Sequence, residues 1–114
     1  MKRGEVWIAI LEPRSGSEQS GWRPVVIVSH DSFNTTMSWN SIIVVPVSTS
    51  VNQARRSDTS IPIFKAEGGI PEDSVVLCHQ VTTLDRSKLK TRLGVLSSQI
   101  VASIEEGLKA AMDM

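Results

Sequence analysis

The sequence is poor in several residue types, and each scarcity excludes a class of protein. Tyrosine is absent and aromatic residues make up only 4% of the 114 residues, which argues against a peptide-binding groove built from aromatic side chains. A single cysteine excludes an internal disulfide framework and a cysteine-based zinc site. No apolar run approaches the ~20 residues that a membrane-spanning helix needs.

Neither sign of charge predominates. The 12 Lys and Arg residues balance the 12 Asp and Glu residues, and because non-specific nucleic-acid binding grows with the number of phosphates neutralised, this balance argues against a general coat for polyanions. A local basic site is still allowed. Residues 1–5 lack the apolar stretch of a signal peptide, so we expect a cytoplasmic protein with no membrane partner. The length suits one domain, 1–114.

Short β-rich segments separated by polar loops predict a mainly β protein. Pro46 lies inside one apolar segment and indicates an edge position or a bulge, and Pro62 indicates an edge strand. Many short strands followed by a single helix are typical of a small barrel. The predicted strands are 5–11, 24–29, 41–47, 59–64, 74–81 and 92–96.

The hydrophobic period changes near the C-terminal end. Ile100, Ile104, Leu108 and Met112 recur at intervals of four residues, which predicts one amphipathic helix. This helix begins near Ser97 or Ser98, since either serine can accept a hydrogen bond from a free helical N–H. A short helical turn is predicted over 84–89, and the longer connections are 13–21, 30–40 and 51–58.

A few polar features could carry chemistry, and each also has a plain structural interpretation. Arg23, at the mouth of the second strand, could bind a phosphate in bidentate fashion or could pair with a nearby carboxylate. Ser48 and Thr49 follow a buried run and could donate to a phosphate oxygen or form a turn. Four basic residues within 86–92 could bind a polyanion or form a solvated face.

The histidines and tryptophans could likewise be either functional or structural residues. The two histidines and one cysteine show none of the close spacings of metal ligands, so a structural zinc site is not expected. His79 follows a cysteine in an apolar segment and is typical of a packed residue. Trp7, Trp22 and Trp39 could stack nucleic-acid bases, although we expect one or two of them in the core.

Taken in order, these segments resemble the MazF/PemK (Kid) family of toxin–antitoxin ribonucleases. The combination of Arg-Gly-acid-apolar-aromatic with Gly-x-x-x-x-Gly-x-Arg-Pro is specific, and the likeness covers nearly the whole chain, the final helix included. The matching stretches are 3–7 (RGEVW), 16–26 (GSEQSGWRPVV), 44–50 (VVPVSTS), 73–81 (DSVVLCHQV) and 83–89 (TLDRSKL).

The resemblance implies an SH3-like small barrel of the CcdB/MazF/Kid type with a C-terminal α-helix, working as a homodimer. It implies a toxin that is a metal-independent, sequence-selective endoribonuclease for single-stranded RNA and that needs no cofactor. It also implies a cognate antitoxin whose extended C-terminal tail occupies the RNA groove at the dimer interface.

Carried over residue by residue, the family's catalytic positions fall on Arg23, Ser48 and Glu18. Ser48 replaces the commoner threonine, and because Thr49 stands beside it either hydroxyl can be the active one. Glu18 is either a general base or an acceptor for a base edge. His79 stands where many relatives have a carboxylate, which affects the recognised sequence rather than the reaction. The expected RNA-binding residues are Ser17, Gln19, Thr49, Arg56, His79, Gln80 and Arg86.

These residues permit cleavage by the RNA's own 2′-OH, which leaves a 2′,3′-cyclic phosphate and a 5′-OH. Arg23 would stabilise the phosphorane and Ser48 would donate to a phosphate oxygen. Three alternatives stay open from the sequence. The chain could be a CcdB-like toxin that poisons DNA gyrase without catalysis, a plain SH3-like interaction module, or a degenerate family member that only binds an antitoxin.

Overall fold

The computed structural model describes residues 1–11, 21–49 and 57–114. The regular elements of these residues are seven strands and two α-helices, joined in part by single 3₁₀ turns at Ser57–Thr59, Glu67–Gly69, Cys78–Gln80 and Arg86–Lys88. The strands and helices, in chain order, are β1 (Glu5–Leu11), β2 (Gly21–Ile27), α1 (Asp31–Asn34), β3 (Ser41–Ser48), β4 (Ser60–Ile63), β5 (Ser74–Leu77), β6 (Thr82–Asp85), β7 (Leu89–Val95) and α2 (Ser98–Met112).

The seven strands form an antiparallel sheet in the order β4-β5-β3-β2-β1-β7, with β6 also paired to β3. The prediction of a mainly β chain with a C-terminal helix is confirmed. Closure into an SH3-like barrel stays a prediction. Among the described residues, no helix is long and apolar enough to span a membrane.

The central strands bury apolar side chains on both faces of the sheet. Successive side chains of a strand point to opposite faces, so one strand contributes to two separate clusters. On β2, Val26 belongs to one buried cluster, whereas Val25 and Ile27 belong to another. The first cluster includes Ile104 of α2 and so lies between the sheet and that helix. The second includes Leu89, with Trp7 and Leu84 packed against it, and fills the other face of the sheet.

Helix α2 begins where the sequence predicts. Ser97 is its N-cap, and the Ser97 hydroxyl accepts a hydrogen bond from the Ile100 amide at 3.3 Å. Ile104 is fully buried, and Ile100 and Leu108 pack against the same cluster. The apolar period is therefore the face that α2 presents to the sheet.

The N-terminal Arg-Gly-acid-apolar-aromatic stretch is a structural anchor. The Arg3 guanidinium contacts Glu105 of α2 at 2.7 Å and donates to the Val28 carbonyl at 3.1 Å. Gly4 has φ of 91°, a conformation that side chains disfavour. Its amide donates to the Ile27 carbonyl at 2.8 Å. These contacts fix the start of β1 against β2 and α2.

One strand prediction is wrong at Pro46. The sequence placed this proline at an edge or a bulge, but β3 is central and pairs with β2, β5 and β6. On the β2 side, Pro46 lies opposite Val25. On its other side, β3 pairs with β6 as far as Val44 and with β5 from Val47, so Pro46 lies in the gap between these two ladders. Pro46 therefore stands where β3 changes partners, which is where a missing N–H costs least. Pro62 does lie on an edge strand, β4.

Several predicted boundaries also differ from the structure. Strand 74–81 ends at Leu77, because a 3₁₀ turn follows, and 84–89 is a turn only at Arg86–Lys88. The connection 30–40 contains α1, whose N-cap is His30: the His30 side chain accepts from the Ser32 amide at 3.0 Å. The last strand runs over Leu89–Val95, so it begins three residues before the predicted 92.

Candidate active site

Arg23 lies within β2 and is exposed to solvent. The strand begins at Gly21, whose φ is 78°, so Arg23 is the third residue of the strand rather than its mouth as predicted. Pro24 follows it and disfavours the helical region for Arg23, in agreement with its extended backbone. Across the β1–β2 ladder Arg23 lies opposite Ala9. The guanidinium therefore extends from a strand that is paired on the β1 side.

Ser48 is the last residue of β3 and is buried. The β2–β3 ladder pairs Ile27 with Val44 and Val25 with Pro46. The last pair of this ladder lies two residues from Arg23 on β2 and two residues from Ser48 on β3. Because side chains alternate between the two faces of a strand, Arg23 shares the face of Val25, and Ser48 shares the face of Pro46 and Val44. The fold thus carries two residues that are far apart in the sequence to the same end of two neighbouring strands.

The alternation along β3 separates Ser48 from Thr49. Val44 belongs to the same cluster as Val25, whereas Val45 and Val47 belong to the cluster under α2. Ser48 therefore shares the face of Arg23, and Thr49, which is exposed, follows the end of the strand. Of the two hydroxyls, Ser48 is therefore the one that lies within β3 and on the face of Arg23.

His79 and Gln80 lie in the 3₁₀ turn Cys78–Gln80, which connects β5 to β6. This turn flanks β3 at the point where β3 changes partners, between Val44 and Val47. His79 is exposed and Gln80 is half-buried. Since strand residues rise ~3.3 Å each, the turn lies roughly 7–10 Å from Ser48 along β3. It therefore lies beside β3 on the approach to Ser48.

Four predicted site residues, Ser17, Glu18, Gln19 and Arg56, lie outside the described residues. Their roles stay predictions. Both segments adjoin the pair on the chain, however: residue 20 precedes β2, which carries Arg23, and residue 50 follows Thr49 at the end of β3. The described residues that border these segments, Gly21 of β2 and Thr49 after β3, lie at the same end of the sheet.

Arg86 has a structural role that its sequence context did not indicate. Its guanidinium donates to the carbonyls of Trp39 (2.8 Å), Asn34 (2.9 Å), Phe33 (3.2 Å) and Thr36 (3.2 Å). These bonds fix the connection between α1 and β3 to the turn between β6 and β7. RNA binding by Arg86 stays a prediction.

Cys78 neighbours His79 but faces the interior. Its Sγ lies 3.7 Å from the Ile104 carbonyl oxygen, and burial raises the pKa of the thiol to about 11. A thiol with so high a pKa stays protonated near neutral pH and is a weak nucleophile and metal ligand. Nor do three His, Cys, Asp or Glu side chains of the described residues come together in a group that could hold a metal ion.

Sequence reasoning missed one buried polar group. The Ser60 hydroxyl, at the start of β4, is 94% buried and has no hydrogen-bond partner within the described part of the chain. Ser60 lies opposite Leu77 of β5, and Leu77 shares the face of Val75 two residues before it. On the other side of β5, Val75 lies opposite Ser48. Ser60 thus shares the face of Ser48 two strands away. A single serine at a strand start gives no signal of this in the sequence.

Comparison with known proteins points in one direction. A family model described as PemK-like, MazF-like toxin of type II toxin-antitoxin system matches residues 2–112. Two curated proteins named Endoribonuclease MazF, from Staphylococcus saprophyticus and Staphylococcus epidermidis, are each 34% identical to this chain over 114 residues. The match covers all of this chain and 92% of each relative.

Solved structures share the fold. MazF from Deinococcus radiodurans superposes with a TM-score of 0.80 at 22% identity, covering 100% of this chain and 97% of that chain. An endoribonuclease in complex with its cognate antitoxin, from Mycobacterial species, gives a TM-score of 0.79 at 21% identity, with 100% and 96% covered. At these identities the likeness shows the fold alone.

Proposed function

Because the chain belongs to the PemK-like, MazF-like family of toxins of type II toxin–antitoxin systems, we propose that it is a sequence-selective endoribonuclease that cleaves single-stranded RNA. One observation supports the proposal: β2 and β3 are neighbouring antiparallel strands, and the alternation along each strand assigns Arg23 and Ser48 to one face at the same end of the sheet. Relatives at 34% identity that are named endoribonucleases support it. They favour it over the CcdB-like gyrase poison that the sequence left open.

The proposed chemistry uses the substrate's own nucleophile. The 2′-OH loses its proton and attacks the adjacent phosphorus, the bond from phosphorus to the 5′ oxygen breaks, and that oxygen takes up a proton. The products carry a 2′,3′-cyclic phosphate and a 5′-OH. The Arg23 guanidinium stabilises the charge that develops on the non-bridging oxygens. Ser48 donates a hydrogen bond to one of these oxygens. The scheme requires no metal ion, because the substrate supplies the nucleophile.

The remaining predicted residues surround this centre. Glu18 either removes the proton of the 2′-OH or accepts a hydrogen bond from a base edge, and a pH–rate profile of a Glu18→Gln variant separates the two roles. His79 and Gln80 flank the centre on the β5–β6 turn, where they can contact neighbouring nucleotides. Ser17, Gln19, Thr49 and Arg56 complete the proposed RNA contacts.

The proposed partners follow from the family. We propose a homodimer with an RNA groove at its interface, acting in the cytoplasm, and a cognate antitoxin whose extended tail occupies that groove. The mycobacterial endoribonuclease that was solved with its cognate antitoxin supports the last point. A tail bound there would occlude Arg23 and Ser48 from RNA, which gives inhibition without any change in the fold.

The activity is tested by incubating the purified protein with a mixed RNA pool in EDTA and mapping the new 5′ ends. We expect cuts at one short sequence, each with a 5′-OH end. Intact RNA, together with inhibition of DNA gyrase, would instead support the CcdB-like alternative. Intact RNA without gyrase inhibition would instead support one of the other two alternatives, a plain SH3-like interaction module or a degenerate family member that only binds an antitoxin.

The catalytic assignment is tested by Arg23→Ala. We expect a loss of at least ~10²-fold in kcat, the usual scale for one lost oxyanion donor, with an unchanged circular dichroism spectrum. Arg23→Lys keeps the charge without the bidentate fork and should recover only part of the rate. Lys109→Ala, which removes an exposed cation from α2, is the matched control and should cleave normally. An Arg23→Ala protein of normal rate would contradict the mechanism.

A further inference from the structure

Trp22 is a large apolar side chain that the fold leaves in solvent. It is 63% exposed, although it lies within β2 next to Arg23. The other two tryptophans have partners. The Trp7 indole N–H donates to Glu5 Oε1 at 2.9 Å, and the Trp39 ring stacks on Phe33 with centroids 5.0 Å apart. Of the three, Trp22 is therefore the one whose exposure the described contacts do not explain.

The surroundings of Trp22 form an apolar strip, which we define as Ile8, Ile10, Trp22 and Pro24. The β1–β2 ladder pairs Ile10 with Trp22 and Ile8 with Pro24. Pro24 and the two isoleucines are half-buried. Because directly opposite residues share a face, the strip is continuous across both strands. The indole therefore lies on the same face of the sheet as three apolar neighbours.

Trp22 lies between a glycine and a cation at the start of β2. Gly21 precedes Trp22, and a Cβ placed on Gly21 would meet no atom of the described residues within 4 Å. Arg23 follows Trp22 directly, on the opposite face of the same strand end. A chain that passes this end can contact the guanidinium with a phosphate and the indole with the next group along. An aromatic platform beside a cation is the combination that grooves for single-stranded nucleic acid use.

We propose that Trp22 stacks on a base of the single-stranded RNA next to the phosphate held by Arg23. This inference rests on the proposed ribonuclease function and adds a base-binding subsite to it. The subsite supplies binding energy and position rather than charge stabilisation, so its loss raises KM more than it lowers kcat. Stacking tolerates every base because each has a π face; we therefore expect Trp22 to set affinity across sequences.

The test uses an RNA oligonucleotide that contains the mapped cleavage sequence with a single 2′-deoxy nucleotide at the cut, so that it binds without being cleaved. We expect Trp22→Ala to weaken binding of this probe roughly 10- to 100-fold, which lies within the range for one lost base–aromatic stack, whereas Trp22→Phe should stay within about 5-fold. The probe should also quench the indole fluorescence of the wild-type protein, and that quenching should be largely lost in Trp22→Phe.

Trp39→Ala is the matched control, because Trp39 is also exposed, at 47%, but stacks on Phe33. Its affinity for the probe should equal that of the wild type. Normal probe binding by Trp22→Ala, with cleavage still dependent on Arg23, would overturn the stacking proposal and leave the ribonuclease standing. A shift of Trp22→Ala to monomers would also overturn it, because the indole would then pack against a second copy. If the wild type cleaves no RNA, the failure lies in the proposed function instead.

Discussion

At the scale of single residues, Glu5 shows how the fold sets the charge of one carboxyl group. Its side chain is 11% exposed, and its oxygens contact Trp7 Nε1 at 2.9 Å and Arg92 Nε at 3.2 Å. Burial alone would raise its pKa. Hydrogen bonds from Trp7 and the Lys2 amide, with the positive charges of the N-terminus and Arg92, outweigh burial and lower the pKa below the ordinary 4.5. The native state therefore prefers Glu5 in its charged form.

This preference predicts how stability depends on pH. Because the folded pKa lies below the unfolded one, the contribution of Glu5 is fully present above pH 4.5 and is lost as the pH falls through the folded pKa. We expect Glu5→Gln to lower the free energy of unfolding by about 1–2 kcal/mol at pH 7, and the difference from wild type to shrink below pH 4.5. Urea unfolding of both proteins at pH 7 and at a pH below 4.5 measures this difference in the free energy of unfolding.

Glu106→Gln is the control for Glu5. Glu106 also contacts a cation, Lys109 at 3.4 Å, but both side chains are more than half exposed, and exposed ion pairs contribute little. Its free energy of unfolding should stay within about 0.5 kcal/mol of wild type at both pH values. If Glu5→Gln and Glu106→Gln lowered the free energy of unfolding equally, the burial of Glu5 would not be the reason for its larger contribution.

The same residues explain what the N-terminal motif does. The stretch 3–7 helped to carry the resemblance, yet its contacts are architectural: Arg3 binds Glu105 and Val28, and Glu5 binds Trp7 and Arg92. The proposed site instead depends on Arg23 and Ser48, which neighbouring strands carry to one end of the sheet. Sequence alone marked both residues as possible phosphate ligands, but only the resemblance joined them in one site, since no local pattern states which strands are neighbours.

At the scale of elements, local patterns predicted what local physics decides. The four-residue period and the two serines were enough to place α2 and its start at Ser97. Where strand partners decide the outcome, sequence reasoning failed. Pro46 suggested an edge, but it occupies the point at which β3 changes from β6 to β5. The 3₁₀ turn Cys78–Gln80 fills the space beside that point, which is why the predicted strand 74–81 stops at Leu77.

The packing of α2 on that turn gives a prediction about one helix position. Gly107 is buried, and a Cβ placed on it would lie 2.7 Å from the Cys78 sulfur and 3.3 Å from Ile61 Cδ1. Alanine favours a helix by ~1 kcal/mol over glycine, but overpacking a core costs about 1–3 kcal/mol. The overpacking cost exceeds the gain in helix propensity over most of this range, so we expect Gly107→Ala to destabilise the protein by up to about 2 kcal/mol, measured by urea unfolding.

A double-mutant cycle with Cys78→Ala identifies the cause. Removing the sulfur relieves the 2.7 Å contact, so Gly107→Ala should cost less in the Cys78→Ala background, with a coupling energy of at least about 0.5 kcal/mol. Ala102, which is exposed on the same helix, offers an Ala102→Gly control for helix propensity alone. Additive single effects would mean that the backbone of α2, rather than the sulfur, limits this position.

At the scale of the whole molecule, the balance of charge limits how RNA can be bound. The formal net charge is zero, so attraction to a polyanion must come from a few local cations rather than from the field of the whole protein. In the proposed site Arg23 is the cation on the described face beside Ser48. The chain should therefore discriminate among RNAs through contacts at the site and should bind unrelated RNA weakly.

The salt dependence of binding measures this directly. For single strands, the logarithm of the binding constant falls with the logarithm of salt concentration with a slope of about −0.7 for each phosphate neutralised. We expect a slope of roughly −1 to −2 per site for the 2′-deoxy probe, which corresponds to about two or three phosphates. Arg23→Ala should make the slope shallower by about 0.7, whereas Lys109→Ala should leave it unchanged. A wild-type slope steeper than about −4 would require six or more phosphate contacts and would contradict a locally charged site.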